Sequence, residues 1–104
     1  MKEIDVINLS KKIKNGEDIF LLDVREPHEY DLANIGGVLI PLNEIPSSLD
    51  KLDRSTRIYC LCHHGVRSAI AQDFLTQKGY TSVVNIIGGI DAWSLEVDSS
   101  ICRY

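Results

Sequence analysis

Hydrophobic positions follow two rhythms that take turns along the chain. Four short apolar runs, Ile19–Val24, Leu39–Leu42, Arg57–Leu61 and Val83–Ile87, are too brief for helices and mostly β-branched, leucine-rich or aromatic. Such runs read as strands buried on both faces, as in a parallel sheet. Between them the spacing widens to three and four residues. Asp5 precedes Val6, Leu9 and Ile13, with lysines following and Gly16 closing, so residues 5–15 read as a short capped helix. Pro27 suits the first turn of a helix over 27–32, and Asn43 is placed to cap another over 44–52. Val66, Ile70 and Phe74 recur every fourth residue beside Ala71 and Leu75, predicting a helix over 66–78 that Gly79 ends in a left-handed turn. Gly88-Gly89 closes the last strand ahead of a brief helix over 90–95 carrying Trp93, which reads as a packing anchor. Residues 96–104 have no period and read as a loosely packed tail.

Strands alternating with helices imply an α/β fold, a parallel sheet covered on both faces and joined by right-handed crossovers. At 104 residues the chain suits one domain over 1–104 with its core over about 4–95. Formal charge is −4, which argues against a nucleic-acid partner and requires any anionic substrate to be attracted locally. No apolar stretch approaches a membrane span, and Met1–Asn8 lack a basic region followed by an apolar signal core, so the expected address is cytoplasmic with no membrane partner. Three cysteines cannot all pair internally, and in a reducing compartment they are expected as thiols.

One stretch carries chemistry: Cys62-His63-His64-Gly65-Val66-Arg67-Ser68, between a predicted strand and a predicted helix. A loop from a strand's carboxyl end to a helix's amino end turns unpaired N–H groups inward, where the helix dipole adds partial positive charge. A thiolate or anionic adduct is stabilised there. Gly65 permits a tight bend and Arg67 adds a permanent cation, surroundings that a mere packing cysteine does not need. His63 and His64 could tune the thiol, contact a donor anion or face solvent. Cys60 falls mid-strand and reads as core. Cys102 lies in the tail, where it could resolve a sulfur adduct on Cys62. Cys60, Cys62, His63 and His64 are too contiguous to surround one tetrahedral ion, so no metal and no cofactor is expected. Asp23 and Arg25 end the first long strand and land on the same rim as Cys62, either as substrate contacts or as an ion pair that holds the rim together.

Four elements in this order resemble the rhodanese family of sulfurtransferases: Leu21–Glu26 followed by Glu29-Tyr30, Ile40-Pro41-Leu42, the Cys62–Ser68 loop, and Gly88-Gly89-Ile90 leading to Ala92-Trp93. The resemblance implies a five-stranded parallel sheet and a Cys62 that accepts a sulfane sulfur as a persulfide. In that picture the loop N–H groups of His63, His64, Gly65, Val66 and Arg67 cradle the outer sulfur, and Arg67 holds the loop or the donor. A donor such as thiosulfate and a thiol or cyanide acceptor are implied, with a protein in a sulfur relay as an alternative partner. The chain departs from the family at Asn34-Ile35-Gly36-Gly37, where single-domain members often carry His-Ile-Pro-Gly. Related phosphatases and arsenate reductases have five residues between Cys and Arg. Here there are four, a narrower ring that favours one sulfur atom over a tetrahedral oxyanion. A non-turnover relay or binding module of the same fold is the other reading kept.

Overall fold

In a computed structural model, which describes residues 2–104, five parallel strands form one sheet in the order β1-β5-β4-β2-β3. Met1, counted in the expected domain, lies outside the described residues. The strands are β1 (Lys2–Ile4), β2 (Phe20–Asp23), β3 (Val38–Leu39), β4 (Ile58–Leu61) and β5 (Val83–Ile86); the helices are α1 (Val6–Lys14), α2 (Pro27–Leu32), α3 (Val66–Gln77) and α4 (Gly89–Glu96). β4 alternates its side chains between two cores. Ile58, Cys60 and Cys62 join Leu22, Val24, Ala71 and Leu75 on one face, while Tyr59 and Leu61 join Val6, Leu9, Ile86, Ile90 and Trp93 on the other. Burial on both faces is why the central runs are apolar without alternation. Among the described residues no helix is long and apolar enough to cross a membrane.

Local signals explain most elements. Asp5 caps α1 by accepting from the Asn8 N–H at 2.7 Å, and Gly79 takes φ +91° just past α3. β1 is absent from the sequence reading because two exposed charged residues and one half-buried isoleucine carry no pattern; it exists through its pairing with β5. The helix expected over 44–52 is instead two 3-10 helices, Leu42–Ser47 and Leu49–Lys51. Pro46 sits inside the first, and its missing N–H denies the segment an α-helical bond. Asn43 accordingly caps nothing; Pro41 holds the N-terminal position. The strand expected over 39–42 is shorter and starts earlier, at Val38, yet the Ile40 and Leu42 N–H groups still donate to the carbonyls of Asp23, the last residue of β2, and of Val24 just beyond it.

Two corrections bear on the site. The apolar stripe that locates α3 is not the face it buries: Val66 and Ile70 are 69% and 54% exposed, while Ser68, Ala71, Gln72 and Leu75 turn inward. Ser68 and Gln72 can be buried because both are hydrogen-bonded, Gln72 to the Lys2 and Val83 carbonyls. The tail over 96–104 is largely exposed but not loose. Ser94 donates to the Ile101 carbonyl at 2.6 Å, Arg103 binds Asp91 at 2.9 Å, and Tyr104 reaches back to the rim of the sheet.

Candidate active site

Cys62 follows the last residue of β4, and α3 begins four residues later, so the loop lies at the carboxyl end of the sheet beside β5. Gly65 makes the turn with φ +106°, a conformation that side chains resist, and its N–H donates to Cys62 Sγ at 3.0 Å. The turn is held from outside by α4, whose Ile90 and Asp91 N–H groups donate to the Cys62 and His63 carbonyls at 2.9 and 3.1 Å. A Cβ on Gly89 would collide with those two carbonyl oxygens, so the close approach of α4 requires glycine. Gly88-Gly89 therefore does more than end a strand: it lets a helix terminus cap the loop's orphan carbonyls.

The sulfur also contacts Ser68 Oγ at 3.3 Å, and Asn85 settles how that hydroxyl points. Asn85 Nδ2 donates to the Gly65 carbonyl at 3.3 Å, which leaves its oxygen facing Ser68 Oγ at 2.5 Å. Ser68 donates its single proton to Asn85 and presents a lone pair to Cys62, an orientation that accepts from the thiol. To donate to a thiolate, the hydroxyl must turn away from Asn85. Two residues back, Cys60 is fully buried; desolvation, then the neighbouring Cys62, push its thiol up to about 12, so it remains a core residue.

Arg67, also on α3, does not reach toward the sulfur. Its two terminal nitrogens lie 2.6 and 2.8 Å from the two oxygens of Glu29, a bidentate pair. Glu29 is 8% exposed on α2 and further accepts from the Tyr104 hydroxyl at 2.8 Å and the Glu26 N–H. The Arg67 hydrogen bonds, foremost among these, hold its carboxyl down to about 2. Asp23 and Arg25, both without solvent exposure, pair at 2.7 and 2.8 Å. Arg25 adds bonds to the Glu29 and Ala33 carbonyls and to Tyr104. Of the two roles weighed for them, the geometry carries the structural one: they brace α2, which brings Glu29 to Arg67.

His63 and His64 form a stack with Tyr104, ring centroids 3.9 and 4.0 Å apart. Burial, then the adjacent His64, lower the His63 pKa, and its Nε2 is buried and unpartnered. His64 is mostly exposed, its Nε2 3.9 Å from Asp91 Oδ2. His63, His64 and Asp91 each bring one potential ligand atom within 4.8 Å of the others, with the two imidazoles stacked at an interplanar angle of 25°. Cys102 is exposed and accordingly free in the tail.

Of these side chains Glu29, Asn85 and Tyr104 were not singled out from sequence. Asn85 leaves a trace there, as the one polar residue in the Val83–Ile87 run; Glu29 sits in a motif without a visible partner, and Tyr104 leaves none.

Comparison with known proteins agrees with the geometry. The family model described as "Rhodanese-like domain" matches residues 6–96. A protein named "Sulfurtransferase" from Allochromatium vinosum is 35% identical over 90% of this chain and 89% of its own length. The "Putative sulfur carrier protein YrkF" of Bacillus subtilis is 36% identical over 88% of this chain, which spans 50% of that protein. In structure, a rhodanese-like domain protein from Staphylococcus aureus superposes with a TM-score of 0.87 at 30% identity, covering 100% of this chain and 99% of the other. The family-model match over residues 6–96, with the Allochromatium relative covered over nearly its whole length, shows that this chain belongs to the rhodanese-like domain family.

Proposed function

We propose that the protein is a sulfurtransferase that carries sulfane sulfur on Cys62. The observation that bears most weight is the four-residue span from Cys62 to Arg67, with the Gly65 N–H on the sulfur and both terminal nitrogens of Arg67 on Glu29. A ring of that size suits one sulfur atom, and an arginine committed to Glu29 is not available to clamp a phosphate, which disfavours the phosphatase alternative.

The cycle has two steps. The Cys62 thiolate attacks the sulfane sulfur of a donor such as thiosulfate, the donor's S–S bond breaks and sulfite leaves. The outer sulfur of the resulting persulfide meets loop N–H groups at the amino end of α3, where the helix dipole favours negative charge. A thiol, cyanide or the acceptor residue of a sulfur-relay protein then attacks that sulfur and Cys62 departs as thiolate. The similarity to a protein named as a sulfur carrier supports the relay form of the second step. Cytoplasmic location is part of this proposal, since the mechanism needs Cys62 kept reduced between turnovers.

The test is to incubate the protein with thiosulfate and weigh it intact. One added sulfur atom, lost on addition of cyanide and absent from Cys62→Ala, is expected, with ping-pong kinetics. Equal behaviour of wild type and Cys62→Ala overturns the proposal.

A further inference from the structure

The geometry points to a second binding site, at the opposite end of β4 from Cys62, that takes a small organic phosphate; it is independent of the sulfurtransferase reading. A cavity of about 490 Å³ opens between α1, β1 and the first residues of β4 and β5, a volume in the range of small-molecule sites. Its rim is cationic. Lys2, Lys11, Lys12 and Arg57 bring four of the chain's eleven lysines and arginines to this one opening, although the chain as a whole carries a charge of −4. Glu3 is the one carboxylate among the lining residues. Lys12 also meets Glu17 at 3.5 Å, but the two side chains are 35% and 48% exposed, and so solvated a pair gives way readily. Among the described residues Lys2, Lys11 and Arg57 are in no ion pair, and Arg57 Nε donates to a neutral partner, Ser82 Oγ, at 3.0 Å.

The floor is of another kind. Ile4, Tyr59 and Val84 line it and belong to, or pack against, the core that also holds Val6 and Leu9. Tyr59 is 3% exposed, yet among the described residues its hydroxyl has no hydrogen-bond partner, whereas those of Tyr30, Tyr80 and Tyr104 are all bonded. That oxygen is not sealed off either, because the one sealed and unpartnered side-chain polar atom among the described residues is His63 Nε2. The exposure Tyr59 keeps is therefore at its hydroxyl, on the cavity it lines. Buried polar groups are nearly always hydrogen-bonded, so a donor placed there is one left for an occupant. Rim and floor together define the ligand. Ammonium and guanidinium groups on flexible stems suit phosphoryl oxygens, and two or more negative charges are needed to balance them. Apolar area and a hydroxyl at the floor are of no use to inorganic phosphate, so the phosphoryl group carries an organic part about the size of a nucleoside.

The experiment is isothermal titration calorimetry of the full chain with AMP and UMP, and with adenosine and inorganic phosphate as the separate halves. One molecule of either nucleotide is expected to bind, about ten-fold or more tighter than adenosine or phosphate alone and about five-fold or more weaker at high salt. Arg57→Gln weakens nucleotide binding about ten-fold, and Tyr59→Phe weakens it about two- to ten-fold. Tyr59→Phe also leaves Tm within about 2 °C of wild type, since its hydroxyl has no bond in the fold to lose; a larger drop assigns the hydroxyl to the fold and overturns the inference. Binding of neither nucleotide below about 1 mM, equal binding of adenosine or of phosphate, or an affinity unchanged in both variants overturns it as well. So does tighter binding of a hexaglutamate peptide than of either nucleotide, which assigns the cations to an acidic protein partner.

Discussion

At the carboxyl ends of the strands, Arg25 and Arg67 are each held bidentately by a carboxylate, and Asp23, Arg25 and Glu29 are removed from water; at the amino ends, Lys2, Lys11, Lys12 and Arg57 border an open cavity of about 490 Å³ with Glu3 as the one carboxylate lining it. The difference lies in what the charges are for. Exposed cations are solvated, interact weakly and leave their neighbours free to move. Buried, bidentate pairs have two defined partners and lock the elements that carry them, here α2 against the start of α3. The carboxyl rim uses charge as scaffold, and the amino pole uses it as surface.

The sharpest break in this comparison is Asp23→Asn. It leaves the Arg25 guanidinium buried without its counter-ion, at a cost of about 3–5 kcal/mol. In a domain of this size that lowers Tm by about 12 °C or more, read by circular dichroism. An unchanged Tm would remove the pair from the scaffold.

Glu29 gives the next effect, and its sign follows from the direction of the shift. Its folded pKa, about 2, lies below the ordinary carboxylate value of 4.5. Its stabilising contribution is therefore present above about pH 4.5 and lost as pH falls toward 2. Denaturant unfolding across that window should show wild type weakening on acidification, and Glu29→Gln should flatten the slope by about one proton. A variant with the wild-type slope contradicts the Arg67–Glu29 assignment.

Asn85→Ala acts more subtly, by releasing the Ser68 proton for Cys62. One hydrogen bond of about 0.5–1.5 kcal/mol corresponds to alkylation by iodoacetamide about two- to ten-fold faster at fixed pH. Ser68→Ala should show no acceleration, and a slower Asn85→Ala enzyme argues that the hydroxyl already points at the sulfur. Smallest of all is Lys11→Gln at the amino pole, expected within about 0.5 kcal/mol of wild type and with unchanged sulfur loading.

Features written in neighbouring residues were legible in the sequence. The apolar runs of β2, β4 and β5, the Asp5 cap, the Gly79 stop and the Cys62–Ser68 loop all depend on contacts within a few positions, and each was read from composition and spacing. What was not legible depends on distant partners. Glu29 meets Arg67 38 residues away and Tyr104 75 residues away, and Ser68 meets Asn85 17 residues away. The same distance effect misplaced the buried face of α3, where polar Ser68 and Gln72 gained their partners only through the fold. Tyr104 shows the limit most plainly, since a residue in an unpatterned tail completes the network that holds Arg67.

The central claim, that Cys62 is the sulfur carrier, is tested most directly by locating the transferred atom. After loading and cleavage, fragmentation of the peptide that spans Ile58–Arg67 separates Cys60 from Cys62. The account predicts one extra sulfur on Cys62, none on Cys60 or Cys102, and its release as thiocyanate when cyanide is added. Sulfur on Cys102, or an unmodified Cys62 in a protein that turns over donor, would contradict it.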